Sequence, residues 1–317
     1  MAFLWRKKKK YGEIEEKHRD FLVANFGERA LFGVSMKDYT SFRVGGPADC
    51  MVFPENSEEL MKLIAFAKAE SLPITIMGYG TNLLVKDGGI RGITINMSKG
   101  FKNIEIEQAG SDVFITAGSG VPLAKIVRLG MNHGWSGIEP LSAIPGSLGG
   151  AVSMNAGTKE GAIEGIVEAV WVMEGERERL IPREGLKFDY RSVNIPRNHP
   201  VVKVKLKLHQ DDGEKVRLRI QENLKYRKDT QPLTERSAGC IFKNPKKISA
   251  GKLIDDLGLK GVRVRGAKIS EKHANFIVNT GNATAKDILA LIELVREKVK
   301  EERNILLETE VIILGEE

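Results

Sequence analysis

Apolar spacing divides the chain into stretches of period two and stretches of helical period. Residues 11–26 predict a charged leading helix and residues 51–53 a short strand. Leu60, Leu63, Ile64 and Phe66 then form one face of a helix that begins after Asn56 and Ser57. Ser57 has no acid three residues on, but Glu58 and Glu59 suit the positive end of the helix dipole. Residues 74–77 and 93–97 read as strands, giving a β-α-β unit with a glycine-rich connection between its later strands. Residues 104–106 and 113–117 alternate as strands, and Pro122 opens a helix with Leu123, Ile126, Val127 and Met131 on one face. Strands follow at 167–173, 179–181 and 201–208, then a helix at 216–226. The remainder predicts a helix at 250–257, a strand at 274–278, an amphipathic helix at 284–301 with Ile288, Leu291, Ile292 and Val295 on its stripe, and a closing strand at 311–314. The expected organisation is α+β in three segments, 1–98, 99–211 and 212–317, with neither internal repeats nor a low-complexity linker.

Composition narrows the chemistry. With 317 residues and 42% hydrophobic content, the chain can bury an ordinary core. No run of 18 apolar residues offers a membrane span. The start places a short apolar patch before Arg6, Lys7, Lys8, Lys9 and Lys10, the reverse of a secretory signal, so a cytoplasmic protein with a solvated basic tail is expected. A net charge of +7 suits an anionic ligand. A nucleic-acid role is disfavoured, because aromatic content is 6% and no aromatic-interleaved basic patch accompanies the charge. Lys203, Lys205 and Lys207 put three cations on one sheet face, either guiding phosphates or simply facing solvent. Cys50 and Cys240 lack CxxC spacing and the five histidines form no HxxxH pair, so no metal site is expected.

Two glycine-rich stretches carry the strongest chemical signal. Gly78-Tyr79-Gly80-Thr81-Asn82-Leu83 directly follows the strand 74–77. Glycines there let backbone N–H groups approach a diphosphate, and Thr81 and Asn82 add side-chain donors. The run is not GxGxxG, and a turn rather than a helix follows at Lys86-Asp87-Gly88-Gly89, so a dinucleotide-binding βαβ site is disfavoured and a plain hairpin turn stays open. Residues 138–157, with Pro140, Pro145, Gly146, Ser147, Gly149, Gly150, Asn155 and Gly157, are too long and apolar for an ordinary solvent loop. Ala143, Ile144, Leu148, Ala151 and Val152 would make an apolar wall for a flat ring, with a tightly wound buried loop as the alternative. Gly118-Ser119-Gly120 before a helix start adds a third phosphate contact.

These stretches belong to a longer ordered series. Tyr39-Thr40-Ser41-Phe42-Arg43-Val44-Gly45-Gly46, the run Gly78 to Leu84, Ile144-Pro145-Gly146-Ser147-Leu148-Gly149-Gly150, Phe188-Asp189-Tyr190-Arg191-Ser192, Gly239-Cys240-Ile241-Phe242-Lys243-Asn244-Pro245 and Leu307-Glu308-Thr309-Glu310-Val311 together resemble the UDP-N-acetylenolpyruvoylglucosamine reductase family. The resemblance covers nearly all of the chain beyond residue 35, and the absence of an inserted tyrosine-bearing loop between Arg191 and Arg227 resembles the shorter, type II branch. It implies a two-part FAD-binding module of the vanillyl-alcohol oxidase type followed by a C-terminal α+β substrate domain. It also implies hydride transfer from NADPH through FAD to the vinyl carbon of an enolpyruvyl UDP-sugar, giving UDP-N-acetylmuramate for peptidoglycan.

The matching positions imply roles. Gly78, Tyr79, Gly80, Thr81, Asn82, Leu83, Gly118, Pro145, Gly146, Ser147, Gly149, Gly150 and Asn155 would hold FAD. Neither stretch carries a histidine for covalent attachment, so FAD would be non-covalent. Arg191 would hold the substrate carboxylate, Glu310 rather than the neighbouring Glu308 would stabilise the enolate-like intermediate as a neutral acid, and Cys240 would donate the proton. Many family members have serine where Cys240 stands; a thiol, with an ordinary pKa of about 8.5, is the better acid. Arg227, Gln231, Lys243 and Asn244 are further candidates for the UDP portion or the carboxylate. A monomer acting on small molecules is expected, and an alcohol or hydroxy-acid oxidase on the same flavin fold is the competing reading.

Overall fold

The computed structural model describes residues 14–246 and 248–317. The basic run Arg6 to Lys10 and the first residues of the expected leading helix lie outside them. That helix runs as α1, Glu16–Phe26. It packs Leu22 and Phe26 into a first core with Cys50, Val52, Leu60, Leu63, Ile93 and Ile95. The first sheet has the strand order Ala30–Ser35, Pro47–Val52, Ile90–Asn96, Ile74–Met77, with the last three parallel. The strand Ala30–Ser35 pairs antiparallel at the edge. It lacks the apolar alternation of its neighbours, its burial pattern being mostly intermediate, so periodicity misses it. Helix α2, Ser57–Ala69, is capped by Asn56, whose side chain accepts from Glu59 N at 3.0 Å. Asn56, one residue earlier than Ser57, supplies the cap because its amide oxygen reaches that N–H.

The second sheet orders the strands Arg177–Pro182, Val167–Glu174, Val201–Gln210, Asp112–Gly118 and Ile104–Ala109, all antiparallel. Inward residues Val113, Ile115, Val170, Val172, Val204 and Leu206 form its core. On the opposite face Lys203 lies over Trp171 and Lys205 over Phe114, while Lys207 reaches Asp112 at 2.8 Å. Aromatic rings and carboxylates thus accommodate the three lysines. Helix α3, Leu123–His133, starts after Pro122, which is the cap and not the first helical residue. Helix α4, Leu148–Ser153, occupies part of the stretch expected to be loop. Helix α5, Gly213–Thr230, buries Val216 and Ile220 against this same core, extending it beyond the expected division at residue 211.

The last segment places a small antiparallel sheet, Arg263–Val264, Ala267–Ile269 and Ile277–Asn279, beside α6, Ala250–Asp256, and α7, Ala285–Arg303. The stripe Ile288, Leu291, Ile292 and Val295 of α7 enters its core together with Phe42, Val44 and Leu84 from the first segment. The closing strand Ile312–Leu314 returns to pair in parallel with Leu83–Val85. The C-terminus is therefore stitched to the strand that leaves the first glycine turn.

A second stitch is a long-range helix cap. Asp87 accepts from Ala285 N at 2.9 Å and Lys286 N at 3.0 Å, serving the orphan donors at the start of α7 from 198 residues away. Thr284 and Asp287 complete the cap locally. Asp87→Ala is expected to cost about 1 kcal/mol of stability, read as a lower urea midpoint; an unchanged midpoint would remove Asp87 from the account.

Candidate active site

The three glycine-rich stretches meet. Thr81 Oγ1 donates to Pro145 O at 3.2 Å, and a Cβ on Gly78 would lie 2.5 Å from Ser147 Oγ. Tyr79 OH donates to Gly120 O at 3.2 Å and receives a bond from Lys102 Nζ at 2.6 Å. Gly149 N donates to Ser119 O at 2.9 Å, where a Cβ would stand 2.7 Å from Ser119 Cβ. Glycine at these positions is a condition of close approach. Gly80 also has φ 67°, and its carbonyl accepts from Ser41 N at 3.1 Å, so the 39–46 motif backs the turn.

The α4 segment is helical despite two glycines because Ser147 caps it, its Oγ accepting from Gly150 N at 3.2 Å. Asn155, buried and with φ 40°, donates to Asp189 O at 3.0 Å and accepts from Glu164 N at 3.3 Å. Its side chain thus braces the turn that carries Arg191. Gly118 lies against Phe101, a Cβ there falling 2.1 Å from Phe101 O.

The lining fits an anionic, flat cofactor. Among the described residues the N–H groups of Tyr79, Gly80, Thr81 and Asn82 meet no protein acceptor. Such a run of free donors is an anion cradle. The buried Ser119 Oγ also has no protein partner.

Beside this wall lies the polar cluster. Arg191, held at φ 59°, donates from Nε to Glu310 Oε1 at 2.8 Å and from a terminal nitrogen to Gly157 O at 3.3 Å. Glu310 is fixed at its main chain as well: its N donates to Ile241 O at 2.7 Å, and its carbonyl accepts from Asn82 Nδ2 at 3.2 Å. Glu308 instead points outward, 3.4 Å from Lys243 Nζ. Burial raises the Glu310 carboxyl above the ordinary range, against the pull of Arg191 and Lys243. Burial, and next the Glu310 carboxylate, push the Cys240 thiol up to about 12, opposed by Arg191 and Arg227. Cys240 therefore keeps its proton through the neutral range, but the acidity advantage expected of a free thiol is lost to desolvation.

Arg227 spends Nε and one terminal nitrogen on Gln231 Oε1, at 3.0 and 2.9 Å, and approaches Ser142 O at 3.4 Å. Burial, aided by Arg191, holds its guanidinium below the usual value against the attraction of Cys240. Asn244 Oδ1 accepts from Ala250 N at 3.0 Å, tying it to the start of α6, while its own N donates to Tyr190 OH at 3.3 Å. Asn275 is absent from the sequence-based candidates. It is an amide within an otherwise apolar run, and its side chain bonds Phe242 N at 2.9 Å and Phe242 O at 2.8 Å. The interruption of that run was its one signal.

Similarity to known proteins covers this same ground. A family model described as an FAD binding domain matches residues 48–176, and one for the C-terminal domain of UDP-N-acetylenolpyruvoylglucosamine reductase matches residues 231–314. The Clostridium tetani protein named UDP-N-acetylenolpyruvoylglucosamine reductase is 42% identical over 306 residues, covering 95% of this chain and 98% of its own. The Desulfosudis oleivorans protein of the same name is 42% identical over 313 residues, covering 96% and 100%. The crystal structure of the enzyme from Thermus caldophilus aligns with a TM-score of 0.77 at 40% identity, covering 88% of this chain and 97% of that one.

The packing of Gly78 on Ser147 gives a test. Gly78→Ala is expected to lower FAD retention about tenfold or more, measured by flavin absorbance after gel filtration. Adding Ser147→Ala removes the Oγ that the new methyl meets and is expected to restore part of the flavin. Full retention by Gly78→Ala alone contradicts the assignment.

Proposed function

The chain belongs to the UDP-N-acetylenolpyruvoylglucosamine reductase family, and from that premise we propose that Arg191, Cys240 and Glu310 carry its substrate chemistry. The protein is an FAD-dependent oxidoreductase that reduces the enolpyruvyl ether of UDP-N-acetylglucosamine to UDP-N-acetylmuramate in peptidoglycan precursor synthesis. When bound, FAD supplies the hydride chemistry that links NADPH to the vinyl group. The residues 78–83, 118, 145–147, 149 and 150 would hold it, with Asn155 acting from behind through Asp189.

The observation that carries the assignment is the Arg191–Glu310 pair at 2.8 Å, fixed through the Glu310 main chain to both Asn82 and Ile241. Hydride addition to the vinyl carbon leaves negative charge on the neighbouring carbon and its carboxylate. The Arg191 guanidinium, planar and permanently charged, holds that carboxylate. A substrate carboxylate at Arg191 then competes with Glu310 for one cation. Two like charges there favour protonation of Glu310, whose carboxyl burial has already raised. Neutral Glu310 donates a hydrogen bond where the enolate charge develops. Cys240 delivers the proton to carbon, and Arg227 steadies the sulfur as the proton leaves.

Arg227 with Gln231, and Lys243 with Asn244, are read as contacts to the UDP portion around this centre. Among the described residues no helix is long and apolar enough to cross a membrane. A cytoplasmic monomer working on small soluble substrates is the reading we adopt.

Two measurements test the roles. In single-turnover experiments Cys240→Ala should slow reoxidation of reduced FAD by the enolpyruvyl substrate by about 10²–10⁴-fold and leave reduction by NADPH unchanged. Equal slowing of both half-reactions sinks the donor role. The reoxidation rate should also be full below the raised pKa of Glu310 and fall as pH climbs through it, because the acid form is the active one. Glu310→Gln, which cannot ionise, should lose that limb; its persistence would assign the limb elsewhere. Cys240 ionises at about 12, too high to produce it.

A further inference from the structure

Cys240 precedes a stretch that belongs to no regular strand, so its position depends on individual bonds. Gly239, with φ 78°, leads into it. On one side the segment 308–311 grips the stretch: Lys243 N donates to Glu308 O at 2.9 Å and Glu310 N to Ile241 O at 2.7 Å. On the other side every bond comes from Asn275. Its carbonyl accepts from Ile241 N at 2.8 Å, its Oδ1 accepts from Phe242 N at 2.9 Å, and its Nδ2 donates to Phe242 O at 2.8 Å.

One side chain thus pairs with both main-chain groups of Phe242, as a neighbouring strand would. Asn275 is 2% exposed, and its own N donates to His273 Nδ1 at 3.2 Å. Phe242, in turn, is 1% exposed and anchors the third core. The amide has a second proton left on Nδ2, and the Asn275 side chain favours the thiolate at Cys240, against the burial that raises it.

We propose that Asn275 is the positioning residue of the proton-transfer step, aligning Cys240 with Glu310 through Ile241 and Phe242 and solvating the sulfur as its proton leaves. The amide has the two roles of a side chain that must accept and donate at once. A residue without both functions releases Phe242 and leaves its buried N–H or C=O unpaired. The Cys240 sulfur then loses its register against Glu310 and the amide that favours its thiolate. Reduction by NADPH requires no proton from Cys240, so it does not depend on this alignment.

The inference rests on the reading of Cys240 as donor, and a double-mutant cycle on the FAD-loaded enzyme separates the two. Asn275→Ala is expected to slow reoxidation by the enolpyruvyl substrate about 100-fold and leave reduction by NADPH as in the parent. In the Cys240→Ala background the same change is expected to add nothing, since the group it positions is gone. If Asn275→Ala does not fold, Asn275→Ser, which is small and polar but cannot span both groups of Phe242, is measured with the same expectations. Equal slowing of both half-reactions, or full additivity with Cys240→Ala, overturns the positioning role alone. A Cys240→Ala enzyme that reoxidises normally overturns the donor reading and this inference with it.

Discussion

The main chain of Glu310 is the point at which separate parts of the molecule are held in one frame. Its N–H binds Ile241, its carbonyl binds Asn82, and its carboxylate binds Arg191. Those partners come from the cysteine-bearing stretch, the first glycine turn and the turn after Asp189. The neighbouring strand Ile312–Leu314 reinforces the frame by pairing with Leu83–Val85, and Asp87 does so by capping α7. A partly buried ion pair is weak evidence for stability by itself, since desolvation offsets its attraction. Here its value is geometric. The pair keeps a guanidinium and a reluctant carboxyl beside the glycine-rich wall, where the proposed reaction would create an anion.

The same economy explains the perturbed acids. Burial disfavours charge on Glu310 and on Cys240, and each carboxylate or thiolate that did form would raise the other. Both groups are therefore biased toward their protonated forms, against the pull of Arg191 on each. The protonated forms are the ones that the proposed receipt of negative charge requires. A thiol at about 12 is not an unusually strong acid in this setting. In the proposed donor role its advantage would be to remain protonated at every working pH, with Arg191, Arg227 and Asn275 favouring its conjugate base.

Much of this was legible in the chain. The β-α-β unit, the amphipathic α7 and the glycine turn after Ile74–Met77 follow from periodicity and turn chemistry. Helix α4 did not, because Gly149 and Gly150 are poor helix formers. Tertiary packing overrides that propensity: a Cβ at Gly149 would meet Ser119, so the glycine is there for the approach and Ser147 supplies the cap. Asn155, expected as a cofactor contact among the glycines, has its amide engaged with Asp189 and Glu164. Asp87 and Asn275 act on partners 198 and 33 residues away; no local pattern marks Asp87, and a break in an apolar run is all that marks Asn275. Pattern exposes what a segment does to itself; long-range caps and clamps become visible when the chain is folded.

The central claim is that Arg191 leaves Glu310 to hold the substrate carboxylate beside Cys240. A crystal structure of the FAD-loaded Cys240→Ala enzyme with the enolpyruvyl UDP-sugar tests it directly. The account predicts a bond of about 2.7–2.9 Å between the Arg191 guanidinium and the substrate carboxylate, Glu310 within hydrogen-bond reach of the enolpyruvyl group, and residue 240 facing the carbon that receives the proton. An enolpyruvyl group bound away from Arg191, with the Arg191–Glu310 pair intact, would contradict it.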